Sequence, residues 1–245
     1  MIRCGVIEGE AMNQAPRVDW TKVDHVLLDM DGTLLDLAFD NDFWGYRIHA
    51  HYAKLHKLNH QEVVDQFEPI FQSVAGTLSW YSTDFWSQQY GFDIIELSQQ
   101  YREGIRWLPL AQDFLLALRT ADIRATILTN AHPDIVTLKH SVLGIKDYVD
   151  QTLSSHDIGY PKEHRAFWEA IPEITGISEA QLKGDSVWFF DDSPAVLTAA
   201  INAGLHNSVM MCAPDSTLAP KMSTTPHAIH TFNDIWPLSR RNEGN

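Results

Sequence analysis

Short, nearly continuous apolar runs recur along the chain at intervals that suit a parallel sheet. Residues 23–29 read VDHVLLD and residues 187–190 read VWFF. Strands of a parallel sheet are buried on both faces and therefore show little polar alternation. Similar runs occur at residues 125–129, 148–153 and 208–212. The pattern predicts five buried strands of one sheet.

Helical patterns lie between these runs. One helix is predicted after Pro109 and another over residues 164–175, since both stretches carry apolar residues on one face. A third begins with Ser193 as its N-cap and Pro194 at its first helical position, and Gly204 is its expected end. Strands that alternate with helices predict an α/β fold, in which a three-layer, Rossmann-like parallel sheet is covered by helices on both faces.

One interval lacks this alternation and has helical spacing without a convincing strand. Within it, Asn59 and Glu62 form the pattern of a capping box, helices are expected at 83–90 and 94–102, and Pro69 is expected to kink or end its helix. We therefore predict a helical insertion after the first strand. The predicted division is a core of residues 20–36 and 108–238, a helical insertion of residues 37–107, and an N-terminal extension of residues 1–19.

The charge of the chain limits its partners. Its 245 residues include 18 Lys and Arg against 32 Asp and Glu, which gives a net charge of −14. Such a chain repels polyphosphate backbones and anionic membrane surfaces, so we expect neither a nucleic-acid polymer nor a membrane as partner. A small phosphorylated metabolite is compatible with this charge, because a bound cation reverses the field locally.

Cysteine content and the apolar runs indicate the compartment. The chain has two cysteines, Cys4 and Cys212, and no apolar run of signal-peptide or membrane-span length. We therefore expect a cytoplasmic protein with reduced thiols. Both Met1 and Met12 are candidate starts, and the sequence leaves the oligomeric state open.

The segment LLDMDGTLLD, residues 27–36, carries the strongest chemical signal. Asp29 closes the first predicted strand and Asp31 follows two residues later, so both carboxylates point to the same side if the strand continues. Ligands of open parallel sheets bind at this edge. Two close carboxylates repel each other unless one is protonated or a cation lies between them, and oxygen ligands favour Mg²⁺. The segment predicts a Mg²⁺ site; the plainer alternative is an acidic turn.

Other polar residues follow two further predicted strands and one loop. Thr129 ends ATILT with Asn130 after it, and Asp191 and Asp192 follow VWFF. A cation shared with the first carboxylate would compensate the charge of this acidic pair, whose alternative role is to cap the next helix. Lys162 follows a Gly- and Pro-containing loop that could aim its ammonium into the same site, although a lone lysine is more often solvated.

Together these motifs resemble the haloacid-dehalogenase-like hydrolase superfamily over about residues 22–236. The resemblance rests on DxDGT beginning at Asp29, on Thr129 at a strand end, on Lys162 in GYPKE and on the acidic pair in FFDDS, in the family's order. It implies that Asp29 is the nucleophile and Asp31 the general acid/base. Haloalkanoate dehalogenases lack the second aspartate, so Asp31 favours phosphoryl transfer.

The resemblance also implies the other roles. Mg²⁺ is expected as the cofactor, while the division of roles within the adjacent acidic pair stays open because no second acid follows four residues later. His132 directly follows the second motif and is a candidate for substrate contact. The expected metal ligands are Asp29, the Asp31 carbonyl, Asp191 and Asp192, and the expected substrate-binding residues are Thr129, Asn130, Lys162 and His132.

A closer resemblance concerns the substrate. The segments DMDGTLLDLAFDNDFW, LSWYSTDFW, LTNAHP, SHDIGYPKE and FFDDSPAVLTAA look like those of bacterial GMP/IMP 5′-nucleotidases of this superfamily. That likeness implies a mobile helical cap and a purine nucleoside monophosphate as substrate. Six aromatic residues of the cap could stack on a base or simply pack its core: Phe43, Trp44, Trp80, Tyr81, Phe85 and Trp86. The alternatives are a phosphatase for a sugar phosphate or phosphoglycolate, a phosphomutase, and a phosphate binder without turnover.

Overall fold

A six-stranded, parallel sheet forms the centre of the computed structural model, which describes residues 15–236. The spatial order of the strands is β3-β2-β1-β4-β5-β6. Their bounds are β1 (His25–Leu28), β2 (Arg124–Thr129), β3 (Gln151–Ser154), β4 (Val187–Asp191), β5 (Ser208–Met211) and β6 (Ala228–Ile229). The predicted α/β fold is confirmed. Residues 1–14 of the predicted N-terminal extension, which include both candidate starts, lie outside the described residues. Residues 237 and 238 of the predicted core also lie outside them.

Helices cover both faces of the sheet because successive strand residues point to opposite sides. Val26 and Leu28 of β1 pack into an apolar cluster with α7 (Ala111–Thr120) and α8 (Pro133–Leu143). Leu27 packs into a second cluster on the opposite face. The second cluster includes residues of α10 (Arg165–Thr175) and α12 (Pro194–Asn202). Along the chain, the short helix α9 (Ser155–Ile158) precedes α10, and the short helix α11 (Glu179–Leu182) lies between α10 and α12.

A group of helices follows β1 and precedes α7. It has an apolar cluster of its own, which includes the fully buried Trp86 and Phe67. We keep residues 37–107 as the proposed bounds of this insertion. Its elements are α1 (Ala38–Asp42), a π-helical segment (Phe43–Arg47), α2 (Ile48–His56), α3 (His60–Val74), α4 (Leu78–Tyr81), α5 (Thr83–Tyr90) and α6 (Ile94–Gln99).

Local capping signals are confirmed. The side chain of Asn59 accepts a hydrogen bond from the Glu62 amide at 3.0 Å, and Glu62 accepts one from the Asn59 amide at 2.7 Å. Ser193 caps α12, with Pro194 as its first residue. Gly204 follows the end of that helix with a φ of 106°, a conformation that favours glycine.

Several boundaries differ from the sequence prediction. Helix α3 continues through Pro69, because the carbonyl that loses its partner belongs to exposed Asp65 and can be solvated. The strand predicted at 148–153 begins only at Gln151, since Tyr148 ends a 3-10 turn. The helix expected at 94–102 ends at Gln99. Neither β6 nor α4 was predicted, because two and four residues are too short to show a period. None of the helices within residues 15–236 has the length and apolarity of a membrane span.

Candidate active site

The predicted chemical residues meet at the carboxyl edge of three neighbouring strands. Leu28 is paired with Ile127 on one side and with Phe190 on the other, so residues that end these strands lie side by side. Asp29 follows β1, Thr129 ends β2 and Asp191 ends β4. A cavity of about 400 Å³ opens above them, between the sheet edge and the helical insertion.

Lys162 bridges two buried carboxylates at the floor of this cavity. Its Nζ donates to Asp29 Oδ1 and, at 2.7 Å, to Asp191 Oδ2. Its backbone is held on both sides: the amide donates to Asn130 Oδ1 at 2.9 Å, and the carbonyl accepts from Trp168 Nε1 at 2.7 Å. This anchorage places the predicted lysine in the site, where it is 2% exposed, whereas a lone lysine is more often solvated.

Burial and the neighbouring charges both shift the pKa values of these groups. Burial raises the pKa of Asp29 well above its ordinary value, against the opposing effect of Lys162. It also raises the pKa of Asp191 to about 6, again opposed by Lys162. Burial alone would lower the pKa of Lys162, but Asp191 and Asp29 outweigh it and the pKa is raised. The lysine stays charged, and one cation is too little for the carboxylates around it.

Asp192 completes a cluster of three carboxylates. Oxygen atoms of Asp29, Asp191 and Asp192 lie within 4.8 Å of one another. Asp191 Oδ1 accepts from the Ser193 amide at 2.8 Å, and Asp192 Oδ2 accepts from Lys221 Nζ at 2.8 Å. Three hard oxygen donors with a residual negative charge fit Mg²⁺. The side chain of Asp31 is not part of this cluster, so only its carbonyl remains a proposed ligand.

Gly32 allows the loop after β1 to lie against this cluster. Its φ of 91° lies in the left-handed region, and a Cβ there would be 2.8 Å from Cγ of Asp192 and 3.0 Å from Cβ of Pro214. Any side chain would push the loop away from the metal-ligand candidates. The buried hydroxyl of Thr33, the next residue, has no hydrogen-bond partner among the described residues.

The remaining predicted substrate ligands also line the cavity. Thr129 Oγ1 accepts from the Ala131 amide at 3.0 Å, which fixes its hydroxyl at the strand end. His132 caps α8, and its Nδ1 lies 2.8 Å from Thr83 Oγ1 of the insertion. The site roles of Thr129, Asn130 and His132 stay predictions, and His132 has a structural role besides.

A second link between core and insertion was not predicted. Glu163 accepts from Tyr81 OH at 2.8 Å and from Asn130 Nδ2 at 3.0 Å. The hydroxyl of Tyr81 comes from α4, so the chain Tyr81–Glu163–Asn130 runs from the insertion to the backbone amide of Lys162. The available sequence signal was an acidic residue directly after Lys162 in GYPKE.

Lys139 is another residue that sequence reasoning missed. Its Nζ donates to Asp31 Oδ1 at 2.7 Å and to both oxygens of Asp40 at 2.8 and 2.7 Å. The side chain is 1% exposed, whereas that of Asp31 is 17% exposed and lines the cavity. Burial alone would lower the pKa of Lys139, but Asp31 and Asp40 raise it.

The aromatic residues proposed for stacking divide into two groups. Phe43 and Trp86 are fully buried in the core of the insertion, and Phe85 is packed against that core. Phe71, which was not predicted, also faces the cavity. The aromatic residues that line the cavity are Trp44, Phe71, Trp80 and Tyr81.

The fold is a Rossmann-like α/β fold with a carboxylate cluster at the carboxyl edge of its sheet, and comparison with known proteins specifies the family. The family model of haloacid dehalogenase-like hydrolases matches residues 23–204. The chain belongs to this family, which confirms the resemblance seen in the motifs.

Two similar proteins in this family are named as nucleotidases. The chain is 37% identical to the GMP/IMP nucleotidase YrfG of Escherichia coli (strain K12) over 223 residues, which cover 90% of this chain and 97% of that protein. The protein of the same name from Shigella flexneri matches to the same extent. A crystal structure of an HAD phosphatase from Thermococcus onnurineus has a TM-score of 0.70 at 18% identity, covering 87% of this chain and 96% of that one. At that identity the likeness shows the fold alone.

Replacing Lys162 tests how strongly its charge stabilises the buried carboxylates. We expect Lys162→Met to lower the free energy of unfolding by about 3–5 kcal/mol in metal-free buffer, because two buried carboxylates lose their partner. Adding Asp191→Asn should restore part of this loss. Urea unfolding measures both effects. Lys183→Met removes an exposed pair with Glu179 at 3.2 Å and should change stability by less than about 0.5 kcal/mol. Equal losses for the two lysine variants would contradict the account.

Proposed function

We propose that this protein is a Mg²⁺-dependent phosphatase that hydrolyses a phosphate monoester through an aspartyl-phosphate on Asp29. The observation that carries the proposal is the buried Asp29–Lys162–Asp191 group at the floor of a cavity, with Asp31 lining the same cavity. Such a group offers a carboxylate nucleophile and a fixed cation for the phosphate oxygens, and a second carboxyl group is available for proton transfer.

The proposed reaction has two steps. An Asp29 oxygen attacks phosphorus, the bond from phosphorus to the leaving oxygen breaks, and Asp31 gives its proton to that oxygen. Asp31 then takes a proton from a water molecule whose oxygen attacks the phosphorus, and the bond to Asp29 breaks. Thr129, Asn130 and Lys162 bind the phosphate oxygens during both steps. General acid/base help of this kind contributes about 10²–10⁴-fold.

Mg²⁺ belongs to this proposal because of the donor set at the site. Asp29, Asp191 and Asp192, together with the Asp31 carbonyl, would hold the ion. When bound, it would neutralise negative charge on the nucleophile and the phosphate. Lys162 and Lys221 together leave the three carboxylates, when ionised, with excess negative charge, and phosphate would add to that excess.

A purine nucleoside monophosphate is the proposed substrate. The support is the 37% identity to proteins named GMP/IMP nucleotidase, together with the lining of the cavity. Trp44, Trp80 and Tyr81 of the insertion line it opposite the carboxylates. Stacking on an aromatic ring contributes about 1–3 kcal/mol per base, a contact that sugar phosphates and phosphoglycolate cannot make.

Replacement of the nucleophile tests the reaction. Asp29→Asn should lower turnover of any phosphate monoester by ~10³-fold or more, because an amide cannot form the aspartyl-phosphate. Turnover is measured by phosphate release in Mg²⁺, and circular dichroism and thermal unfolding verify the fold. The exposed Asp185→Asn serves as the matched control and should retain wild-type rates. Near-normal turnover by Asp29→Asn would rule out the mechanism, and binding without turnover by the wild type would favour a phosphate-binding protein.

A substrate panel tests the specificity. We expect kcat/KM for GMP and IMP to exceed that for sugar phosphates and phosphoglycolate. Trp80→Ala should lower kcat/KM for GMP about tenfold, in line with the loss of one stacking contact, and leave phosphoglycolate within about twofold. Trp236→Ala is the control, since Trp236 is 41% exposed and outside the cavity. A preference for a sugar phosphate or phosphoglycolate would overturn the nucleotidase proposal while keeping the phosphatase.

A further inference from the structure

Lys139 is a buried cation that the proposed reaction does not use. An ammonium group has three protons to donate, and Asp31 Oδ1 and the two oxygens of Asp40 account for three acceptors within 2.8 Å. At 1% exposure the cation has lost its hydration and depends on these partners. Removing Lys139 would therefore alter where the carboxyl groups of Asp31 and Asp40 are held.

The three residues belong to three different parts of the fold. Asp31 lies in the loop after β1, Lys139 lies in α8, the helix that follows β2, and Asp40 lies in α1, the first helix of the insertion. Lys139 thus joins the loop that carries the proposed acid/base to a helix of the core and to the insertion. The Nζ atom also lies 5.6 Å from the centre of the Phe39 ring, which limits its freedom to move.

We propose that Lys139 is a positioning residue for proton transfer: by holding Asp31 Oδ1, it orients the Asp31 carboxyl group toward the leaving oxygen of the substrate. This inference rests on the proposed role of Asp31 as the acid/base. A carboxyl group that lines a cavity is otherwise free to rotate, and misplacement of a reacting group costs much of its effect. Through Asp40, the same contact ties the orientation of Asp31 to the seating of the insertion.

The chemistry of the leaving group separates this role from simple stabilisation. In the first step, the proton of Asp31 moves to the leaving oxygen while the bond from Asp29 to phosphorus forms and the ester bond breaks. A nucleoside 5′-alkoxide is strongly basic and needs that proton. The phenolate of p-nitrophenyl phosphate is weakly basic and leaves without it. Loss of orientation at Asp31 should therefore harm the nucleotide much more than the aryl phosphate.

The experiment compares Lys139→Met with the wild type on GMP and on p-nitrophenyl phosphate in Mg²⁺. The constant kcat/KM is used because it reports on steps up to phosphoryl transfer and excludes later hydrolysis of the aspartyl-phosphate. We expect a loss of about 10²-fold for GMP, the lower end of acid/base contributions, and a loss of less than about tenfold for the aryl phosphate. The matched control Leu138→Ala truncates a buried neighbour on the same helix and should leave the ratio of the two constants unchanged.

A second variant covers the case in which Lys139→Met does not fold, since it leaves Asp40 buried without a cation. Lys139→Met with Asp40→Leu removes the buried cation and the insertion's carboxylate together, a replacement that proteins tolerate better. It should show the same selective loss. Equal losses on both substrates, or no loss, would overturn the positioning role.

The variant Asp31→Asn distinguishes failure of the positioning role of Lys139 from failure of the proposed function. If Asp31→Asn is selective for the nucleotide and the Lys139 variants are not, Lys139 has no positioning role and the proposed function stands. If Asp31→Asn shows no selectivity, or the wild type hydrolyses neither substrate, the proposed function fails and the role of Lys139 fails with it.

Discussion

The structure depends on the burial of Asp29 and Asp191 at the carboxyl ends of two adjacent parallel strands. Pairing of β1 with β4 leaves these carboxylates no way to move apart, and burial raises the pKa of both. Lys162 compensates only part of the charge, and it can do so because its backbone is held by Asn130 and Trp168. The arrangement carries a cost in stability, as is common where a site is organised for function.

The helical insertion completes the site from the opposite side. The cavity has the polar sheet edge as its floor and aromatic side chains of the insertion as its roof. Two of the polar connections between the parts run through Tyr81 and Glu163 and through Asp40 and Lys139. Both end on residues proposed to act on the phosphate ester, so the placement of the insertion and the geometry of the reacting groups are linked.

Local pattern in the sequence was enough to predict most of the sheet and the positions of Asp29, Thr129 and Asp191, because a parallel strand is a continuous apolar run and its end faces the site. It could not predict β6, which is two residues long, or the continuation of α3 through Pro69, which depends on the exposure of a carbonyl. Lys139 is the clearest case. A lone lysine on a helix is typical of surface, and only the folded chain brings it to an aspartate 108 residues away.

We propose that the carboxylate cluster of Asp29, Asp191 and Asp192 needs a divalent cation. The most direct test is thermal unfolding of the wild type and of Asp191→Asn with increasing Mg²⁺ after chelation. A ligand that binds only the folded state raises the melting temperature with its concentration. We expect a clear rise for the wild type and a much smaller rise for Asp191→Asn. No rise for the wild type, or equal rises for both proteins, would contradict it.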